Sequence, residues 1–183
     1  AGHKALYGPM GIGGYVDNSG KTLKPVLFGG TGSDSLSLEM GQDGIRMYEP
    51  GSMNVVAIAG LLAAVGEAGM GGERWLQEEQ RLRQRLLEKL SRIPEITVYP
   101  PTGQPSVGIV SFNIEGYQAQ EVGILLDEEY HIAVRTGYHC APLIHKYLKD
   151  GQYGGTVRVS IGRFTAEEEL AYLAGALQEI AVG

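Results

Sequence analysis

Arg135-Thr136-Gly137-Tyr138-His139-Cys140 holds the only cysteine of the 183 residues. It follows an apolar run, Ile132-Ala133-Val134, and precedes Ala141-Pro142. A thiol attacks as its thiolate, a form favoured by cationic neighbours or a helix N-terminus. Arg135 and His139 are the candidates to supply the charge, and a helical-looking stretch from Ala141 would add its dipole. The competing reading is that a single cysteine fills space as a small core hydrophobe. The polar, glycine-containing loop around Cys140 weighs against it.

The chain opens with a second chemical element, Gly2-His3-Lys4-Ala5-Leu6-Tyr7-Gly8-Pro9, followed by Gly11-Ile12-Gly13-Gly14. An isolated lysine is ordinarily a solvated charge. A lysine held on a tight turn among small residues can be desolvated, and its amine then attacks carbonyls. That is the attachment chemistry of pyridoxal phosphate (PLP) enzymes. A His-Lys pair alone is a weak signal; Gly-His-Lys running into a Tyr-Gly-Pro-x-Gly-x-Gly turn is a strong one.

Taken together, these segments resemble the class V aminotransferase family of fold-type I PLP enzymes, and within it the cysteine desulfurase and selenocysteine lyase branch. Lys4 stands at the family's Schiff-base position. Gly29-Gly30-Thr31-Gly32-Ser33 is similar to the glycine-rich segment that follows, and Tyr48-Glu49-Pro50-Gly51-Ser52-Met53-Asn54 to the family's FE-x-G-T-x-N stretch. Arg135 to Cys140 matches R-T-G-x-x-C, with Cys140 at the persulfide-forming position. Thr156-Val157-Arg158-Val159-Ser160 matches the strand whose arginine binds the substrate carboxylate. The motifs run in family order over essentially the whole chain. Two positions depart from the pattern: Ala1 stands where Ser or Thr is usual, and Ser52 replaces Thr but keeps the hydroxyl.

The resemblance implies a reaction. Lys4 would hold PLP, with His3 packing near the cofactor and Ser52 donating to its phosphate, in the family across a homodimer interface. Arg158, helped by Arg135, would fix the carboxylate of L-cysteine or a related amino acid. Cys140 would take the sulfur as a persulfide and pass it to an acceptor protein. The family's upstream half carries the phosphate loop, the ring-stacking aromatic and the aspartate at the pyridine nitrogen. Since the resemblance starts at the lysine motif, the chain reads as the C-terminal half of a longer enzyme. It is expected to bind PLP weakly or not at all alone. The alternatives are a selenocysteine lyase, another class V aminotransferase, or a non-catalytic domain that pairs with a separate N-terminal half.

The elements that must position these residues follow from pattern. Glycine is abundant, at 28 residues, and concentrates in residues 1–72. There, Gly11–Val16 and Pro25–Phe28 read as strands. Asn54–Ala68 is apolar on nearly every side and reads as a buried helix, broken by Gly69–Gly72. Glu73–Arg92 reads as an amphipathic helix with Leu76, Leu86, Leu87 and Leu90 on one face, ended by Pro94. Strands are expected at Ile96–Tyr99, Val107–Ile114, Ile132–Arg135 and Thr156–Ile161, with helices at Tyr117–Asp127, Ala141–Leu148 and from a Thr165–Glu168 capping box to about Ala181. The fold expected is α/β: a remnant of the large PLP-binding domain and its sheet at 1–70, then a complete small α/β domain at 71–183.

Composition bounds the remaining classes. A net charge of −6 and a pI near 5.2 argue against a nucleic-acid footprint. No run of 18 apolar residues suggests a membrane span, no signal peptide is visible, and one cysteine allows no internal disulfide; a cytoplasmic protein is expected. Gly29–Ser33 lacks the Lys-Ser/Thr ending of a nucleotide-binding loop. His139, Cys140 and His145 fall short of the four ligands of a structural zinc site, so no metal is expected.

Overall fold

Val110, Phe112 and Ile114 alternate with Ser111 and Asn113, and Val157, Val159 and Ile161 with Arg158 and Ser160, the period of a strand with two unlike faces. In the computed structural model these segments form β2 (Ile109–Ile114) and β4 (Thr156–Ser160) of a four-stranded antiparallel sheet. The structure describes residues 2–30, 36–41, 44–99 and 106–183. Its elements in chain order are α1 (Val55–Leu90), β1 (Ile96–Val98), β2, α2 (Ala119–Tyr130), β3 (Arg135–Gly137), α3 (His145–Leu148), β4 and α4 (Glu167–Val182), with 3₁₀ turns at Gly44–Met47 and Gly151–Tyr153. The chain divides into two compact units, Ala1–Met70 and Gly71–Gly183.

The second unit is built on the sheet, in the order β1-β2-β4-β3. Register pairs Val110 with Val159 and Phe112 with Val157. Directly paired side chains share a face, so these four and Ile114 make one apolar face. Leu82, Leu86 and Leu90 from α1, Val122 and Leu126 from α2, and Leu170, Leu173 and Leu177 from α4 join the same core. The opposite face carries Ser111, Asn113, Thr156, Arg158 and Arg135, by the same register. Thr136, on the apolar side of β3, takes up the space beside Gly123, where a Cβ would lie 2.6 Å from its methyl.

Several expected boundaries move. Gly69, Gly71 and Gly72 lie inside α1 rather than breaking it. Each glycine costs a helix about 1 kcal/mol, yet none removes a backbone donor as proline does, and strong helix formers follow. Continuity also gives α1 a window with mean hydropathy 1.7 and no more than two charges, long and apolar enough to cross a membrane by length and composition. Leu76, expected on the buried face, is 40% exposed; the buried stripe runs Leu82, Leu86, Leu90 at four-residue intervals.

Ile132–Val134 is irregular after the left-handed His131 (φ 56°) that closes α2, and the strand starts at Arg135, the first residue paired with β4. Helix α3 begins only at His145, so no helix starts at Ala141 to supply a dipole to Cys140. The α4 cap sits one residue later than expected: Glu169 accepts the Ala166 N–H at 2.8 Å, while Thr165 Oγ1 accepts from Gly162 in the preceding turn.

In the first unit, Gly11–Val16 and Pro25–Phe28 are irregular chain rather than strands. A strand persists only with a ladder partner, and among the described residues none pairs with them. Order here centres on the start of α1. Asn54 caps it, with Oδ1 accepting from Ala57 N–H at 3.1 Å. Gly60 gives Pro9 room, since a Cβ there would lie 2.9 Å from the ring, and Gly2 does the same for Leu61. The expected burial of this helix is seen at Ala57, whereas Val55, Val56 and Leu62 are exposed.

Candidate functional site

Lys4 lies on a closed turn of the first unit. Gly2 N–H donates to Ile12 O at 2.9 Å, Gly8 N–H to Gly2 O at 2.8 Å, and Tyr7 N–H to Lys4 O at 2.9 Å. Tyr7 adopts φ 58°, a left-handed conformation uncommon for a bulky residue. The packing of Gly2 and Pro9 on α1 thus fixes the backbone of Lys4 while its side chain, and that of His3, stay exposed. Ser52 is exposed two residues before the cap Asn54. Thr31, Gly32 and Ser33 of the glycine-rich segment, and Ala1, lie outside the described residues.

The second unit gathers Arg135, His139, Cys140 and Arg158. Antiparallel pairing sets Arg135 directly opposite Arg158. Like charges facing across a ladder repel. Arg158 Nε is moreover buried and, among the described residues, has no acceptor. An anion between the two guanidinium groups resolves both problems, and a carboxylate matches their planar fork. Arg135 has a further partner: its Nη2 donates to Cys140 Sγ at 3.2 Å. A guanidinium N–H on sulfur is a donor with charge behind it. Cys140 is exposed, so it is a reachable thiol rather than a core residue.

The turn that presents this sulfur is unusual. His139 and Cys140 have φ 50° and 62°, and Ala141 N–H closes back on Tyr138 O at 2.8 Å. Two consecutive left-handed positions normally select Asn-Gly. His139 is anchored through Nε2, which lies 3.0 Å from Thr156 O and 2.9 Å from Thr156 Oγ1. Burial holds its proton affinity below the ordinary histidine value. The Thr156 contact opposes this in part, and the charges of Arg158, Arg135 and His145 add to the lowering. His139 therefore sits as a neutral anchor beside the thiol.

His3, Lys4 and Ser52 thus belong to one unit and Arg135, Cys140 and Arg158 to the other. Sequence reasoning missed Thr156 and Asp150, which hold the two histidines of the Cys140 segment. Thr156 was visible only as the first residue of a strand, and Asp150 carried no signal; neither spacing announces a histidine partner. His145, weighed as a metal ligand, instead has both ring nitrogens engaged by protein oxygens. Among the described residues no three His, Cys, Asp or Glu side chains converge.

A profile of the family described as Aminotransferase class-V matches residues 1–173. A probable cysteine desulfurase of Methanothermobacter thermautotrophicus is 34% identical over 192 residues, covering 98% of this chain and 46% of its own. A cysteine desulfurase of Yersinia pestis is 36% identical over 187 residues, covering 98% and 44%. Among solved structures, the apo cysteine desulfurase of Thermococcus onnurineus NA1 superposes with TM-score 0.76 at 31% identity, over 87% of this chain and 40% of that one. The chain thus spans less than half the length of these relatives. With its lysine turn, its opposed arginines and its loop cysteine in the family's order, the chain belongs to the class V aminotransferases.

Proposed function

We propose that these residues are the C-terminal part of a PLP-dependent cysteine desulfurase, with residues 1–70 completing the large cofactor-holding domain and 71–183 forming the small domain. The observation that carries the reading is Cys140 Sγ against a guanidinium that itself faces Arg158. A reachable thiol and a carboxylate receptor thereby share one sheet face. The names of the relatives support the same chemistry.

The residues fit the cofactor in donor chemistry: an exposed primary amine on a braced turn, a hydroxyl at Ser52 for a phosphate oxygen, and an unsatisfied arginine for the substrate's acid group. When bound, PLP supplies an electron sink at the substrate's alpha carbon. Lys4 would hold the cofactor and would carry a proton at that carbon. Arg158 and Arg135 orient the carboxylate. Cys140 Sγ attacks the substrate sulfur. The Sγ–S bond forms as the substrate's Cβ–S bond breaks, leaving a persulfide on Cys140 and, after protonation of carbon, alanine.

The proposal includes a homodimer, with Ser52 serving the neighbouring subunit's cofactor, an acceptor protein for the persulfide, and a cytoplasmic location where Cys140 stays reduced. It also assigns the exposed apolar side of α1 to contact with the rest of the large domain rather than with lipid. The test is the full-length protein treated with borohydride. Lys4→Ala is expected to abolish covalent trapping of PLP and sulfide release from L-cysteine together. A Lys4→Ala protein that still traps PLP refutes the assignment.

A further inference from the structure

The most deeply buried polar pair near the Cys140 turn has no part in the chemistry above. His145 is 7% and Asp150 0% exposed, and His145 Nδ1 lies 2.5 Å from Asp150 Oδ2. At the other end of the ring, Nε2 lies 3.2 Å from the Tyr138 carbonyl oxygen. A carbonyl oxygen only accepts, so Nε2 carries a hydrogen, and a second proton lies in the Nδ1–Oδ2 contact. The ring therefore links a carboxylate sealed in the unit's interior to one backbone oxygen. That oxygen is the one on which the turn closes, through Ala141 N–H. The Tyr138 ring meets the imidazole edge-on, with centroids 5.0 Å apart.

The turn needs such a hold. Left-handed conformations at non-glycine residues cost on the order of 1–3 kcal/mol each and persist only where surroundings enforce them. His139 and Cys140 are two in succession. We propose that His145 and Asp150 are positioning residues for Cys140: the buried pair fixes the Tyr138 carbonyl, and through it the left-handed His139–Cys140 turn, so that Sγ meets the Arg135 guanidinium. The inference rests on the reading of Cys140 as the sulfur-accepting nucleophile, but its claim is about geometry within the second unit.

The two ends of the ring separate positioning from stability. His145→Asn keeps a donor toward Asp150 and loses the one toward Tyr138. His145→Gln places an amide at the Nε2 end and leaves Asp150 without its partner. Cys140 is the chain's only thiol, so its alkylation by iodoacetamide at fixed neutral pH reads the turn with no cofactor present. We expect alkylation to slow about tenfold in His145→Asn, the upper end of the net worth of one hydrogen bond, and to stay within about twofold of the parent in His145→Gln. Melting temperatures should rank the other way, with His145→Asn above His145→Gln. Arg135→Gln should slow alkylation as His145→Asn does, and the double variant no further than Arg135→Gln alone, because both act through one contact.

Should either His145 variant lack a cooperative melt, Asp150→Ala and Asp150→Asn carry the test together. Asp150→Ala frees the Nδ1 end of the ring and should reproduce the slow alkylation of His145→Asn. The Asp150→Asn amide can donate to Nδ1 and leave the Nε2 hydrogen on the Tyr138 carbonyl, so its rate should stay within about twofold of the parent. Rates that follow melting temperature across the series overturn the proposal. So does a parent-like rate in His145→Asn or Asp150→Ala, or an additive double variant. None of these outcomes touches the desulfurase reading, which fails separately if Cys140→Ser still releases sulfide.

Discussion

The two units treat their apolar side chains in opposite ways. In residues 71–183, Leu86, Leu90, Phe112, Ile114, Val122, Leu126, Val157 and Leu177 are all completely buried. In residues 1–70, Val16 is 90%, Val26 87%, Leu36 97% and Val56 81% exposed. A sheet with three helical segments on one face satisfies its own hydrogen bonds and core. A glycine-rich segment whose apolar runs have no ladder partner among the described residues does neither. The lesson concerns function as much as stability. The segment carrying Cys140 is held by its own unit's register, whereas Lys4, among the described residues, is braced at one turn against α1.

The largest expected effect would sharpen that division of labour. In the full-length enzyme, Cys140→Ser should lower sulfide release from L-cysteine by at least about a thousandfold, as loss of a nucleophile does. Bound PLP should be unchanged, since Lys4, the proposed attachment residue, and Cys140 lie in different units. A loss with cysteine but not with selenocysteine would move the reading to the selenium branch. Next in size is the arginine pair. Arg158→Gln removes the charge-assisted contacts to a carboxylate and should raise KM for cysteine about 10- to 100-fold. Arg135→Gln should depress kcat as well, because Arg135 also touches the sulfur. If both variants move KM alone and equally, Arg135 has no role at the thiol.

A stability pair tests the contrast directly. Leu86→Ala in the core should cost about 2–5 kcal/mol in chemical denaturation. Leu62→Ala, at a side chain 72% exposed, should stay within about 0.5 kcal/mol. An equal cost would show that the face of α1 is covered in solution, and light scattering of a Val56→Gln/Leu62→Gln variant would then report whether the cover is a second copy. Exposed apolar faces of this kind promote association, so the parent chain is expected to scatter as an oligomer and the double variant as a smaller species.

The smallest effect is on pH dependence. Burial, the largest cause, holds His139 below the ordinary value of 6.5, and the nearby Arg158 and Arg135 charges add to this. As pH falls, the unfolded chain takes up this proton before the folded one. The His139 contribution is therefore complete above about 6.5 and is lost as pH falls from there through the folded value. His139→Gln should flatten that part of the stability profile. A profile unchanged below pH 6.5 would mean that the ring is open to water in solution.

Much of this protein was legible locally. The Gly2-His3-Lys4 turn, the strands within Val107–Ile114 and Thr156–Ile161, and the helix within Tyr117–Asp127 are short-range patterns, and short-range sterics and periodicity suffice to write them. Where a boundary depended on a partner, the pattern misled: Gly11–Val16 looked like a strand because its residues suit one, yet strands exist only in pairs. Gly69–Gly72 looked like a break because glycine weakens a helix, yet nothing there forbids one.

The site itself divides the same way. The sequence by itself named Arg135, Cys140 and Arg158, because their residue types and order sit in recognisable segments. Only the tertiary structure decided that Arg135 faces Arg158 and donates to Sγ, that His139 and Cys140 are left-handed, and that Asp150 reaches His145 beneath the Tyr138 carbonyl. Those relations depend on the register between β3 and β4 and on the path of a loop. Both are set by packing among residues far apart in the chain, which local propensity does not encode.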